Sequence, residues 1–282
     1  MSVYLIYKFI SVLVRLLPRR ISYLLADLAS TISWLISRKI RLNIQSNLSR
    51  ILGVSEKKCL LKSRKAVVYF TQYLVDFFLF PHLDEKKFLE IVTPPSRDKV
   101  EDLFKQKKGI IALSGHLGHW ELGALVLGLW GFPVNVIYLP HQDQRIDRLF
   151  LQTRLRQIHW VPVGSALRRG MKVLKHGEIL ATGGDLVYGE GGVEINFLGK
   201  PARFPTGPAL LSIRTGAPIL VAFFVRDSQG NYRGIMEEPI YPLANNDQKN
   251  EAYRITKEFV KILERYVYKY PEQWHIFQKF WL

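Results

Sequence analysis

The sequence predicts an α/β fold: a largely parallel central sheet flanked by helices, preceded by N-terminal membrane-associating helices. Three observations carry that expectation. Apolar runs of strand length at 110–113, 134–139, 160–163, 179–182 and 218–225 alternate with longer helix-like segments, the pattern of parallel strands joined by crossovers. The chain has 282 residues, 48% of them hydrophobic, enough for one large α/β domain with a small helical subdomain. Its first 53 residues differ in kind, being two apolar runs edged by Lys and Arg.

The first run, 1–17, carries Lys8 and Arg15 and lacks a small-residue cleavage site, which argues against a removed signal peptide. The second, 21–37, is broken by Asp27 and lies between Arg19-Arg20 and Arg38-Lys39-Arg41. Each is at or below the length that spans a bilayer. Apolar helices edged by cations read best as interfacial anchors on an anionic leaflet, with a true span and buried core helices as the alternatives. The expected division is therefore 1–53 as membrane-associating helices and 54–282 as the α/β domain.

Helix is expected to continue over 42–80 and to stop at Phe80-Pro81. Within it Phe70, Tyr73, Phe77 and Phe78 recur at helical spacing and read as a core-facing stripe. The same residues could also wall an acyl-chain groove. A polar helix over 98–107 leads into the strand at 109–113. A helix follows from about Trp120 and stops at Gly131-Phe132-Pro133. Basic helices are expected at 142–156 and 166–175, a loop at 183–192, a helix at 208–214, a strand at 232–236 and an amphipathic helix at 250–268.

Lys and Arg number 40 against 24 acids, a net charge of +16, which calls for nucleic acid, anionic lipid or an acidic substrate as partner. No nucleic-acid readout motif is present, so nucleic acid is set aside. With Cys59 the only cysteine, a disulfide framework and a cysteine-based metal site are excluded.

The stretch 109–125, GIIALSGHLGHWELGAL, is where chemistry concentrates. A buried strand ends at Ser114-Gly115, His116 sits in the turn, and Glu121 lies in the first turn of the next helix. On one continuous helix, five residues would set the pair about 140° apart. With His116 in the preceding turn the two side chains can meet. A carboxylate on one imidazole nitrogen fixes the tautomer and leaves the other nitrogen as a base.

Other mechanisms fit less well. A serine hydrolase would need G-x-S-x-G, and histidine stands where that motif has serine. His116, His119 and Glu121 form no H-E-x-x-H, and no metal is expected. The glycines from Gly183 to Gly192 match neither a dinucleotide fingerprint nor a P-loop. A His/carboxylate dyad acting on a substrate hydroxyl needs no side-chain nucleophile and remains.

HLGHWE resembles the H-x-x-x-x-[DE] block of the glycerolipid acyltransferase superfamily. SGHLGHWELGAL resembles the H-x-G-N-W-E form of the bacterial lipid A lauroyl/myristoyl acyltransferase family, which includes phosphatidylinositol mannoside acyltransferases. Gly192-Val193, Phe197-Leu198-Gly199-Lys200-Pro201-Ala202, Pro205-Thr206-Gly207-Pro208-Ala209, Thr215-Gly216-Ala217-Pro218 and Tyr270-Pro271-Glu272-Gln273-Trp274 resemble that family's later blocks in the same order.

The resemblance implies a glycerolipid acyltransferase-like fold and an O-acyltransferase. It would move a fatty acyl group from an acyl-carrier-protein or coenzyme A thioester to a hydroxyl of a membrane lipid, with no cofactor beyond that co-substrate. His116 would take the proton and Glu121 would orient it. Arg154 and Arg156 would contact substrate or donor phosphate, with Asp185 and Glu190 as acids of the glycine-rich loop beside the substrate. A lipid A precursor, a phosphatidylinositol mannoside and a lysophospholipid remain open as acceptor, and the implied location is the cytoplasmic face of the bacterial inner membrane. His119 stands where the family more often has Asn, so it competes for the role of base. A non-catalytic membrane-surface protein would share the N-terminus without needing His116 and Glu121.

Overall fold

The computed structural model describes residues 3–153, 158–189, 191–243 and 247–282. In chain order the helices are α1 (Val3–Leu16), α2 (Arg19–Ile36), α3 (Arg38–Leu52), α4 (Leu60–Leu79), α5 (Glu85–Ile91), α6 (Asp98–Lys105), α7 (Glu121–Leu129), α8 (Gln144–Thr153), α9 (Ala166–Lys175), α10 (Gly207–Thr215) and α11 (Gln248–Lys269). The strands are β1 (Val92–Thr93), β2 (Ile110–Ser114), β3 (Val134–Tyr138), β4 (Ile158–Pro162), β5 (Ile179–Gly183), β6 (Val193–Phe197), β7 (Lys200–Phe204), β8 (Ile219–Arg226) and β9 (Tyr232–Met236).

The chain forms two compact units. One takes in the described residues of 1–91, 141–155 and 267–280, so it holds α4 and α5 together with α1, α2 and α3. The other takes in the described residues of 92–140, 156–266 and 281–282.

The helical unit is built on α4. Tyr73, Phe77 and Phe78 are buried and Phe70 is half-buried, which makes the aromatic stripe core. Phe77 stacks on Phe150 of α8 at 5.1 Å, and Val14, Val75, Phe78 and Ile146 complete the cluster. The expected single helix over 42–80 is interrupted. Gly53, at φ +65°, caps α3 in a left-handed conformation that a glycine adopts without strain, and a 3-10 turn over Glu56–Cys59 precedes α4. No helix among the described residues is long and apolar enough to cross a membrane.

The second unit carries a seven-stranded sheet in the order β1-β9-β8-β2-β5-β3-β4. Every neighbouring pair is parallel except β8 with β9. Covered on both faces, its central strands are apolar nearly throughout: Ile110, Ile111 and Leu113 of β2, and Ile179 and Leu180 of β5, are buried. The segment after the glycine-rich loop, legible in the sequence only as a motif, folds as the antiparallel β6–β7 hairpin. Phe197 and Phe204 are buried beneath it, and Trp281 Nε1 donates to the Phe197 carbonyl at 2.8 Å.

Candidate active site

Strand order decides what meets here. β2 and β5 are neighbours, in register from Ile110↔Ile179 to Ser114↔Gly183, so their C-terminal ends lie side by side. The Gly184 N–H continues the ladder by donating to the Ser114 carbonyl at 2.8 Å. Two residues past that last register pair, on each strand's continuation, His116 meets Asp185. Nδ1 of His116 lies 2.6 Å from Asp185 Oδ1, and the backbone N–H of His116 donates to Oδ2 at 2.7 Å.

One carboxylate thus holds both the main chain and the ring of the same residue. Asp185 is wholly buried, whereas the His116 side chain is 22% exposed. A carboxylate only accepts, so Nδ1 carries the proton and Nε2 is the nitrogen left to act on a substrate.

The fit around this pair requires glycine. A Cβ on Gly115 would lie 2.7 Å from Leu263 Cδ1 and 3.0 Å from Asp185 Oδ2, and one on Gly184 would lie 2.7 Å from the Phe259 ring. The turn after His116 is tied to β8: Gly118 bridges to Phe224, and the His119 N–H donates to the Phe224 carbonyl at 2.9 Å. Gly118 has φ +64°, and a Cβ there would lie 2.0 Å from that carbonyl oxygen.

Burial by itself pushes the His116 imidazole toward its neutral form. The charge of Asp185, its hydrogen bond and, last, the charge of Glu121 outweigh that, so the imidazolium persists above its ordinary 6.5. The Trp120 ring lies 5.0 Å from the imidazole, tilted against it. Burial, followed by the charge of Asp185, also holds the Tyr188 phenol above its ordinary 10.0.

His116 occupies the turn after β2 and Glu121 opens α7, the positions expected from the sequence. The carboxylate on the imidazole nitrogen is not Glu121 but Asp185, expected from the resemblance to lie beside the substrate; Glu121 contributes its charge to the ring. His119 is only 2% exposed and packs edge-on against Tyr232 at 5.4 Å. Arg154, Arg156 and Glu190 lie outside the described residues. Among the described residues no group of three or more His, Cys, Asp or Glu side chains is placed to hold a metal ion.

Asp185 did carry a signal: it follows an apolar strand and two glycines, much as His116 follows β2 and Gly115. Chemically, a buried carboxylate fixing an imidazole that stays partly accessible is suited to removing a proton from a hydroxyl.

Residues 1–282 match the family described as bacterial lipid A biosynthesis acyltransferase. The chain belongs to that family. Among its relatives, the phosphatidylinositol mannoside acyltransferase of Mycolicibacterium smegmatis is 22% identical over 228 residues, covering 78% of this chain and 72% of that protein. The lipid A biosynthesis palmitoleoyltransferase of Escherichia coli K12 is 26% identical over 180 residues, covering 63% of this chain and 57% of that protein. The phosphatidylinositol mannoside acyltransferase of Mycobacterium tuberculosis H37Rv is 31% identical over 91 residues, 32% of this chain; that match spans 27% of the relative's length.

Proposed function

We propose that this lipid A acyltransferase family member is a membrane-associated O-acyltransferase that moves a fatty acyl chain from an acyl-carrier-protein or coenzyme A thioester to a hydroxyl of a glycolipid. The observation that carries the reading is the His116–Asp185 pair, in which one buried carboxylate takes both the ring N–H and the backbone N–H of the same histidine. Family membership supplies the reaction class.

In this mechanism Nε2 of His116 accepts the proton of the acceptor hydroxyl as its oxygen attacks the thioester carbonyl. The carbonyl π electrons move to oxygen, giving a tetrahedral oxyanion. As that intermediate collapses, the carbon–sulfur bond breaks and the thiolate takes the proton from the imidazolium. The oxygen ester and the free thiol are the products, and His116 is again neutral.

Asp185 holds Nδ1–H and stabilises the imidazolium in each half of the cycle. Glu121 adds a second negative charge near the ring and so raises its basicity. Arg154 and Arg156 are assigned to the phosphate of the donor or acceptor, and Glu190 to the same substrate region. No metal ion takes part.

The acceptor class is read from the relatives, one named for lipid A and others for phosphatidylinositol mannosides; both are glycosylated lipids. A lysophospholipid offers the same hydroxyl without the sugar and is the closest competing acceptor. With such substrates, we assign the enzyme to the cytoplasmic face of the bacterial inner membrane. Mass spectrometry of lipids from a deletion strain, complemented with wild type or His116→Ala, tests the proposal. A glycolipid lacking one acyl chain in the deletion, restored only by wild type, is expected. An unchanged lipid profile would leave a non-catalytic membrane-surface protein as the better description.

A further inference from the structure

The turn from His116 to Leu122 sorts its side chains to two sides. Leu117 and Leu122 are fully buried and His119 is 2% exposed, so these three fill the interior. His116, Trp120 and Glu121 are left half-buried on the open side. There Trp120 lies against His116. The centre of its ring is 5.0 Å from that of the imidazole, and the two planes are inclined at 57°. Rings at that tilt do not stack flat; an edge of one is turned toward the face of the other. The main chain on either side of Trp120 is anchored. The His119 N–H donates to the Phe224 carbonyl at 2.9 Å, and the Leu122 N–H donates to the His119 carbonyl at 3.0 Å. With two side-chain torsions to fix, an indole on so firm a backbone is held at small entropic cost.

We propose that Trp120 is a positioning residue for His116: the imidazole meets the indole face edge-on, and the π electrons of that face hold the imidazolium that forms when Nε2 takes the acceptor proton. An aromatic face attracts a cation within about 6 Å of its centre and has far less hold on a neutral ring. The contact therefore strengthens as the proton arrives, and an interaction of that kind lowers a barrier instead of merely binding.

The charged groups that bear on the imidazole are Asp185, from the loop after β5, and Glu121, from α7. Both are carboxylates and both titrate. An indole supports the cation without titrating, and with Asp185 fixed on Nδ1 it gives the ring a second point of restraint. The role rests on the acyl-transfer reading above. Its first test does not use turnover, so an inactive protein with the expected titration would count against the catalytic reading alone.

The full chain is prepared with tryptophan or its mono-, di- or trifluoro derivative at position 120 alone. Fluorine withdraws electron density from the ring face and changes its shape little. The proton affinity of His116 is read by NMR titration of its ring, the signal being assigned by its loss in His116→Gln. Affinity is expected to fall stepwise, by about threefold across the series, with the melting temperature unchanged. A role in packing alone would leave the affinity where it is, and that result would overturn the proposal. A rise would do the same, because it would mean that the indole acts by keeping water from the imidazolium.

Turnover with an acyl thioester and a glycolipid acceptor then separates Trp120→Phe from Trp120→Leu. The phenyl face of Trp120→Phe is expected to keep most of kcat. Trp120→Leu is expected to lose about tenfold in kcat with KM for the thioester little changed. Unchanged kcat with a raised KM in Trp120→Leu would put the indole on the substrate and would also overturn the proposal.

Discussion

Asp185 grips His116 twice, with Oδ1 2.6 Å from the ring Nδ1 and Oδ2 accepting the backbone N–H at 2.7 Å. The second contact restrains the main chain that carries the ring. Orientation of the imidazole therefore depends on a residue 69 positions away in sequence, delivered by the neighbouring strand.

Replacing Asp185 by Asn removes the negative charge and can present an N–H to a nitrogen that needs an acceptor. The rate of acyl transfer is expected to fall by about 10²–10⁴. The acid limb of the pH–rate profile is expected to move to lower pH, because the charge that raises the His116 pKa is gone. Glu121→Gln should shift that limb in the same direction by less, since its charge is the smaller influence. Steady-state kinetics across the pH range measures both, and an unmoved limb in Asp185→Asn would separate Asp185 from the base.

The same pair makes stability depend on pH, with a definite sign. The folded pKa of His116 is raised, so the imidazolium–Asp185 interaction contributes fully below the unfolded value of 6.5 and is lost as pH rises through the folded value. Thermal melts of wild type and His116→Gln, compared from about pH 5 to about pH 9, should show their difference greatest at the acid end. A difference that grows with pH would contradict the assigned shift.

Gly118 fixes the turn that carries the histidine. Gly118→Ala must relieve both a positive φ and a Cβ that would lie 2.0 Å from the Phe224 carbonyl oxygen. A destabilisation of at least about 2 kcal/mol is expected, along with loss of activity from the displaced ring. Denaturant unfolding gives the first quantity. Near-native stability would show that the turn re-forms without the β8 contact.

Asp76 ties α2 to α4. With Asp76→Ala, Arg19 and Tyr23 lose the carboxylate they share, at an expected cost of about 3 kcal/mol for breaking a buried pair whose Arg keeps some solvent contact. Hydrogen exchange should accelerate in α2. Unchanged protection there would mean that the polar contacts do not hold the helix.

Local patterns made much of this molecule legible before its structure. The apolar run 110–113, the glycine-flanked turn and the amphipathic segment after Trp120 are short-range features, and they gave β2, the turn and α7. The His116–Asp185 contact is not short-range. It exists because β5 enters the sheet beside β2, while β3 and β4, which precede β5 in the chain, lie on its far side. Spacing along the chain drew attention to Glu121, five residues on, and could not weigh that against strand order. The β6–β7 hairpin was hidden for another reason: its residues alternate burial only once paired, and Leu198-Gly199 at its tip reads as part of a motif. The break between α3 and α4 turned on one glycine, Gly53, inside an otherwise helical pattern.

The most direct measurement is single-turnover acyl transfer from an acyl thioester to a glycolipid acceptor by purified wild type and His116→Ala. Both proteins are first matched for melting temperature and vesicle binding. The account predicts ester formation by wild type and none above the uncatalysed rate by His116→Ala, with the thioester still bound. Ester formation at the wild-type rate by a folded His116→Ala would contradict it.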